Sequence, residues 1–136
     1  MTEEKKQSLH PISISLRRVY NLLQQKGEVL FVLEDVHIDK LDTIVKTIYG
    51  TYFGFTRFPT YEDKAVGFFV LIIKDHPVTD GNKRLALLWL EILCDACGLK
   101  MNLEKMPLDK LAVSVEQEKN MDNDQLFTTV KSILFS

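Results

Sequence analysis

Residues 76–84 have the sequence His-Pro-Val-Thr-Asp-Gly-Asn-Lys-Arg and lie between two apolar segments, 65–73 and 85–93. Proline and the Thr-Asp-Gly cluster are typical of a break in regular structure, so the first segment should end here and the second should begin as a helix near Asn82. Both flanking segments are apolar on nearly all sides, which predicts buried helices. The sequence therefore predicts two core helices joined by a polar loop.

Two side chains of this loop can carry chemistry. His76 is the one side chain of the stretch that can take up a proton near neutral pH, which makes it a candidate general base. Asp80 offers hard oxygen ligands of the kind that Mg²⁺ takes beside a nucleotide phosphate.

The four residues that follow predict an anion site. Gly81 permits close backbone approach, and the free N–H groups around Asn82 at a helix N-terminus favour a bound anion. Lys83 and Arg84 add positive charge, Arg84 with a planar fork of donors. This pattern favours nucleotide-dependent transfer to a hydroxyl. The same residues could equally form a plain helix-loop-helix connection.

Composition limits the class of protein. The 136 residues are 46% hydrophobic and 26% charged, which suits one globular domain with its own core. A net charge of −2 argues against a nucleic-acid partner. The polar N-terminus lacks a signal peptide, and the longest apolar runs are too short to span a membrane, so we expect a cytoplasmic protein without a membrane partner.

Apolar periodicity predicts the helices around this loop. Residues 1–11 are expected to form a flexible tail, and residues 12–136 a single domain. The run 29–33 is compatible with a strand or a helical turn. Helices are predicted from 12 to Gly27, over 38–50, from a Thr60 capping box to about Lys74, over 82–97 with Gly98 after it, from Pro107 through Val115, and from an Asp122 or Asn123 cap through Leu134.

Residues 50–59 differ from the rest of the chain. They are rich in aromatic residues and threonine, contain two glycines and end in proline, which predicts a short β-hairpin or extended loop. Cys94 and Cys97 form the only Cys-x-x-Cys pair. Because they fall at the end of an apolar helix, helix packing is favoured over a metal or redox role.

The loop resembles the HPFx(D/E)GN(G/K)R signature of the Fic/Doc (death-on-curing) family, with Val78 where the family has phenylalanine. The resemblance covers all nine positions of the motif and is strongest over residues 36–135. It implies a mainly helical (all-α) fold in which a central buried helix follows the motif loop and a small β-hairpin flap precedes it.

The resemblance also assigns roles to residues. His76 would activate the target hydroxyl and Asp80 would bind Mg²⁺. Gly81 and Asn82 would form the anion hole. Arg84 would contact phosphate, and ATP would be the donor.

The hairpin would dock a protein target by strand addition. The residues expected to do this are Thr51, Phe53, Phe55, Thr56 and Arg57. The implied target carries a Ser, Thr or Tyr hydroxyl, and an antitoxin-like inhibitor is a further possible partner.

Two positions favour the Doc-like branch, which is associated with protein phosphorylation. Lys83 replaces a glycine, and Leu87 replaces an arginine, of AMP-transferring relatives. The alternatives are AMP transfer by the same residues and a degenerate domain kept as an interaction or regulatory module. Residues 114–118 are near the family's inhibitory S/T-x-x-x-E pattern, but Lys119 breaks it, and a solvated helix face is favoured.

Overall fold

The computed structural model describes residues 2–136, which form seven helices and one two-stranded antiparallel hairpin. About two-thirds of the described residues are helical, which confirms the prediction of a mainly α-helical fold. Within the described residues no helix is long and apolar enough to cross a membrane. The elements are α1 (Glu3–Ser8), α2 (Pro11–Gln25), α3 (Asp35–Tyr49), β1 (Thr51–Tyr52), β2 (Phe55–Thr56), α4 (Tyr61–Asp75), α5 (Asn82–Cys97), α6 (Leu108–Gln117) and α7 (Asn123–Phe135).

The centre of the core is α4. Its residues 65–73 are all buried, and the helix packs against α3, α5, α6 and α7. Helix α5 follows the motif loop and packs against α2, α4 and α6. The two helices that the sequence predicts as buried are not equally so: α4 is buried over 65–73, whereas in α5 Leu87 and Leu88 are half-buried and Ile92 is exposed. Charged residues such as Glu91 keep one face of α5 in water, whereas 65–73 contains no charge.

Helix ends follow local side-chain signals. The Thr60 hydroxyl accepts the Asp63 backbone N–H at 3.0 Å, and the Asp63 carboxylate accepts the Thr60 N–H at 3.2 Å, which confirms the predicted capping box of α4. Asp122 caps α7 in the same way with Gln125. Gly98 takes a left-handed conformation with φ of 67° and ends α5 as predicted.

The segment that the sequence predicts as a flexible tail carries α1, which Thr2 caps. Leu9, just after α1, is buried. His10 stacks on Tyr49 with ring centroids 5.0 Å apart, and its backbone N–H donates to Asp42 at 3.0 Å. These contacts join the start of the chain to α3.

The sequence left alternatives open for the hairpin and for the run 29–33, and the structure shows one conformation for each. Phe53 and Gly54 have φ of 51° and 81°, the two positive values of a type I′ turn, so the predicted hairpin forms. Residues 29–33 form neither a strand nor a helical turn. Val29 is buried, while the side chains of 30–32 are exposed.

Candidate active site

The motif loop, residues 76–81, begins where α4 ends. His76 has φ of 48° and ψ of 60°, a left-handed conformation that costs a non-glycine residue about 1–2 kcal/mol. Pro77 disfavours the right-handed helical region for the residue before it, so the helix cannot continue through His76. The strained backbone turns the chain toward the start of α5, and His76 stays exposed.

The Asn82 side chain holds the loop together by hydrogen bonds to its backbone. The side chain is buried, its Oδ1 accepts the Val78 N–H at 3.1 Å, and its Nδ2 donates to the Val78 carbonyl at 2.8 Å. The same Nδ2 lies 3.0 Å from Nδ1 of His76. Turning the amide over would place oxygen against oxygen at Val78, so the Val78 contacts determine which atom is the donor.

This orientation determines the protonation of His76. Because the Asn82 amide donates to Nδ1, that nitrogen must be an acceptor, and a neutral imidazole then carries its proton on Nε2. The basic lone pair of His76 is therefore on Nδ1 and is already engaged. A hydroxyl that is to be deprotonated by this ring must take the place of the Asn82 amide.

The predicted catalytic, phosphate-binding and metal-binding residues all line one cavity of about 360 Å³. It opens at the N-terminus of α5, where first-turn backbone N–H groups have no partner within the helix. Charged side chains of both signs face it, two cations and two carboxylates. Its lining residues are His76, Thr79, Asp80, Gly81, Asn82, Lys83, Arg84 and Glu116.

Both cations of the motif have protein partners. Lys83 Nζ lies 2.9 Å from the Glu116 carboxylate of α6, and the Arg84 guanidinium donates to the Glu28 carbonyl. Glu116 was not predicted as a site residue, and the interpretation of residues 114–118 as a solvated helix face is wrong for it, because its carboxylate is partly buried against Lys83. The signal available was the resemblance to an inhibitory pattern, in which Glu118 rather than Glu116 holds the acidic position.

Asp80 is suited to share a Mg²⁺ ion with a bound phosphate. Its Oδ2 accepts the Leu30 N–H at 2.9 Å, which leaves Oδ1 for a cation. Proteins commonly hold Mg²⁺ by one or two carboxylates, with phosphate oxygens and water completing six ligands. Among residues 2–136 no group of three or more His, Cys, Asp or Glu side chains is arranged to hold a metal alone. The donor set therefore fits a metal brought with its nucleotide.

Gly81 has a packing role as well. Its φ of 83° is in the left-handed region, and a Cβ atom built there would lie 2.2 Å from the Val29 side chain. Only glycine lets the run 29–33 pass this close to the loop.

A second cavity of about 490 Å³ adjoins the first, because Lys83 and Arg84 line both. Most of its wall surface is apolar, and its other lining residues are Leu87, Ala112 and Val113 together with the polar Asp109, Lys110 and Ser114. A volume in the range of small-molecule sites, with largely apolar walls and a few charged groups, suits the uncharged part of a phosphorylated ligand.

The hairpin does not contribute to either cavity among the described residues. Thr51, Phe53, Phe55 and Thr56 are exposed. Arg57 pairs with Asp124 of α7 at 2.5 Å and lies 5.2 Å above the Phe127 ring. Arg57 therefore attaches the hairpin to α7.

The cysteines lie at the far end of α5. Both are free thiols, Cys94 buried and Cys97 half-buried. Burial raises the pKa of Cys94 to about 11, and the charges of Asp95, Cys97 and Glu91 add to the effect. Cys94 is therefore a neutral thiol at pH 7.

A mainly helical domain in which a histidine loop opens onto the N-terminus of a core helix, with a hairpin ahead of it, has the arrangement expected of Fic/Doc proteins. A family model described as the Fic/DOC family matches residues 8–94, well over half of the chain. The chain belongs to the Fic/DOC family. Searches of curated proteins and of solved structures gave no match.

The match begins earlier and ends earlier than the resemblance expected over 36–135. It includes α2, α3, the hairpin, α4, the motif and most of α5. Proteins of this family generally transfer AMP or phosphate from a nucleotide to proteins, use ATP and Mg²⁺, and are often paired with antitoxins.

Proposed function

We propose that this chain transfers the γ-phosphoryl group of ATP to a Ser, Thr or Tyr hydroxyl of a protein target, as a Doc-like member of its family. One observation carries the proposal. A candidate base, a carboxylate and two cations line the same cavity at the N-terminus of the buried helix α5. Helix N-termini favour phosphate, and a base beside one can serve a hydroxyl attacking phosphorus.

The chemical step makes one bond to the γ-phosphorus and breaks another. The target hydroxyl replaces the Asn82 amide as the partner of Nδ1 of His76, while the amide keeps its bonds to Val78, and gives its proton to that nitrogen. Its oxygen forms a bond to the γ-phosphorus, the bond from that phosphorus to the β–γ bridging oxygen breaks, and the electron pair leaves with ADP. His76 is then an imidazolium whose two nitrogens both carry protons.

The other motif residues stabilise charge and hold geometry. Arg84 and Lys83, with the first-turn N–H groups of α5, face the phosphate oxygens where negative charge is spread. Asp80 would hold Mg²⁺ through Oδ1, and the bound metal would neutralise negative charge on the phosphates. Asn82 keeps the loop closed through its two bonds to Val78.

The distribution of charge favours phosphoryl transfer over AMP transfer. Both cations of the motif lie in the first turn of α5, and one turn further along Leu87 lines the second cavity and offers no charge to a phosphate. A nucleotide bound with its terminal phosphate at the helix N-terminus would place its nucleoside toward that cavity. AMP transfer needs the α-phosphate beside His76, and the two remaining phosphates would then extend away from the first-turn cations.

The target would approach along the exposed hairpin. Thr51, Phe53, Phe55 and Thr56 expose their side chains, so a strand of the target can pair with this edge. Arg57 contributes by holding the hairpin on α7.

Parallel incubations of candidate protein targets with Mg²⁺ and either α-labelled or γ-labelled ATP test the proposal. Label retained on protein from the γ position alone supports phosphoryl transfer. Label from the α position means that AMP transfer is the activity. The label observed with the parent must be absent with His76→Ala and present with His10→Ala, which removes a histidine that caps α2 outside the cavity.

A specific observation favours a second candidate, a degenerate module that regulates or binds a protein partner such as an antitoxin-like inhibitor. Each charged motif group has a protein partner: Lys83 with Glu116, Arg84 with Glu28, and Asp80 with Leu30. A module of this kind would show no Mg²⁺-dependent ATP binding in a titration, whereas the proposed enzyme would.

A further inference from the structure

The segment between α2 and α3 contacts the motif loop and the first turn of α5. Within residues 28–31, here called the clamp segment, the Glu28 carbonyl accepts from Arg84, Val29 packs on Gly81, and the Leu30 N–H donates to Asp80. Three consecutive residues therefore each contact a motif residue that faces the candidate phosphate and metal site.

One buried hydroxyl joins this segment to the motif loop. Tyr20 of α2 is almost fully buried, and its hydroxyl lies 2.9 Å from the Phe31 carbonyl and 3.2 Å from the Asp80 carbonyl. The single proton of this hydroxyl is shared between two carbonyls that are 49 positions apart in the sequence.

We propose that Tyr20 is a positioning residue for the metal-binding carboxylate. Its hydroxyl holds the backbones of Phe31 and Asp80 side by side, which places the Leu30 N–H on Oδ2 of Asp80 and turns Oδ1 toward the cavity. Tyr20 does not line the cavity, so it acts through Asp80. The inference rests on the proposed function, because it assigns the carboxylate to Mg²⁺.

A hydrogen bond of this kind sets the direction in which a ligand presents its free oxygen. Substituting groups that orient a metal ligand commonly costs 10–100-fold in metal affinity or activity. Tyr20→Phe keeps the buried ring and removes only the hydroxyl. The Phe31 and Asp80 carbonyls then lose a shared donor, and the clamp segment can move away from the carboxylate.

The test compares Tyr20→Phe with Tyr49→Phe in the full chain. Tyr49 is a half-buried helix tyrosine that stacks on His10 and does not line the cavity, so its variant controls for losing a tyrosine hydroxyl. Calorimetric titration of ATP with and without Mg²⁺ gives the metal-dependent part of binding. Amide hydrogen exchange at Leu30 reports whether the bond to Asp80 persists.

If Tyr20 positions the Asp80 carboxylate, Tyr20→Phe should weaken Mg²⁺-dependent ATP binding about 10-fold or more. Metal-free ATP binding should be unchanged, and amide hydrogen exchange at Leu30 should be faster. Tyr49→Phe should match the parent in all three. If Tyr20→Phe is less stable but keeps the parent's metal dependence, the inference is overturned and the proposed function stands. A parent chain without Mg²⁺-dependent ATP binding overturns the proposed function and this inference with it.

Discussion

Helix α4 and the motif loop are consecutive in the chain but are held in opposite ways. Residues 65–73 are buried apolar side chains that need no specific partner, and any well-packed apolar neighbour suffices. In the motif loop and first turn of α5, nearly every polar group has one particular partner: Asn82 with Val78, Asp80 with Leu30, and Lys83 with Glu116.

The difference shows where stability and chemistry reside. Changes within α4 should alter the free energy of unfolding and leave the site's selectivity alone. Changes at the exposed end of the motif should alter transfer with little effect on folding, because these groups contribute small net energies when water can replace their partners.

The largest effect should follow from His76→Ala. Because His76 is exposed, the variant should fold as the parent does and bind nucleotide nearly as well, while transfer falls by about 10²–10⁴-fold. Single-turnover transfer from γ-labelled ATP measures the loss. Turnover equal to that of the parent would remove His76 from the role of base.

The opposite pattern is expected in α4. Phe68 is fully buried and packs edge-to-face on Trp89 with centroids 5.8 Å apart. Phe68→Ala should lower the free energy of unfolding by about 3–5 kcal/mol, as measured by urea titration. Leu30→Ala, a large exposed apolar residue, is the matched control and should change it by less than about 0.5 kcal/mol. Equal losses in the two would contradict the assignment of the core.

Polar interactions stabilise α4 at its N-terminus, where Asp63 is the N3 residue. Burial alone would raise the pKa of Asp63, but hydrogen bonds from Lys131 and Thr60 outweigh it and lower the pKa below 3.8. The stabilisation is present above pH 3.8 and is lost as pH falls through the folded-state pKa.

Asp63→Asn should therefore cost about 1 kcal/mol at pH 7. It should also flatten the fall in stability as the pH drops below 3.8, measured by thermal unfolding at several pH values. An acid dependence as steep as that of the parent would show that Asp63 contributes nothing to it.

The smallest effect should come from Glu116→Gln. Removing the carboxylate frees Lys83 and takes one negative charge from the cavity, so ATP should bind up to about fivefold tighter. Glu118→Gln, with an acid that accepts from the Asn120 N–H instead, is the control. Weaker binding in Glu116→Gln would mean that the ion pair supports the site.

Local signals predicted most of the fold. Helix limits at Thr60, Gly98 and Asp122 depend on side chains within three or four residues, so they can be inferred from short stretches of sequence. Apolar periodicity correctly predicted α2 and α3. It did not rank the burial of α4 and α5, because burial depends on how many neighbours surround a helix.

The candidate site was predictable only as a set of residues. The motif spacing brought six of them to one cavity, but the partners come from distant positions: Tyr20 and Leu30 for Asp80, and Glu116 for Lys83. No local pattern encodes such pairs. The tautomer of His76 was not predictable for a different reason. It follows from the orientation of the Asn82 amide, which the folded loop backbone determines.

Direct measurement of the His76 tautomer tests whether partners within the motif determine what its base can do. Nitrogen NMR of ¹⁵N-histidine-labelled protein, with His76→Ala used for assignment, distinguishes a protonated from an unprotonated ring nitrogen in the neutral imidazole. We expect the neutral ring to carry its proton on Nε2, with Nδ1 accepting from Asn82. A proton found on Nδ1 would contradict this expectation, because Asn82 would then not donate and Nε2 would be the free base.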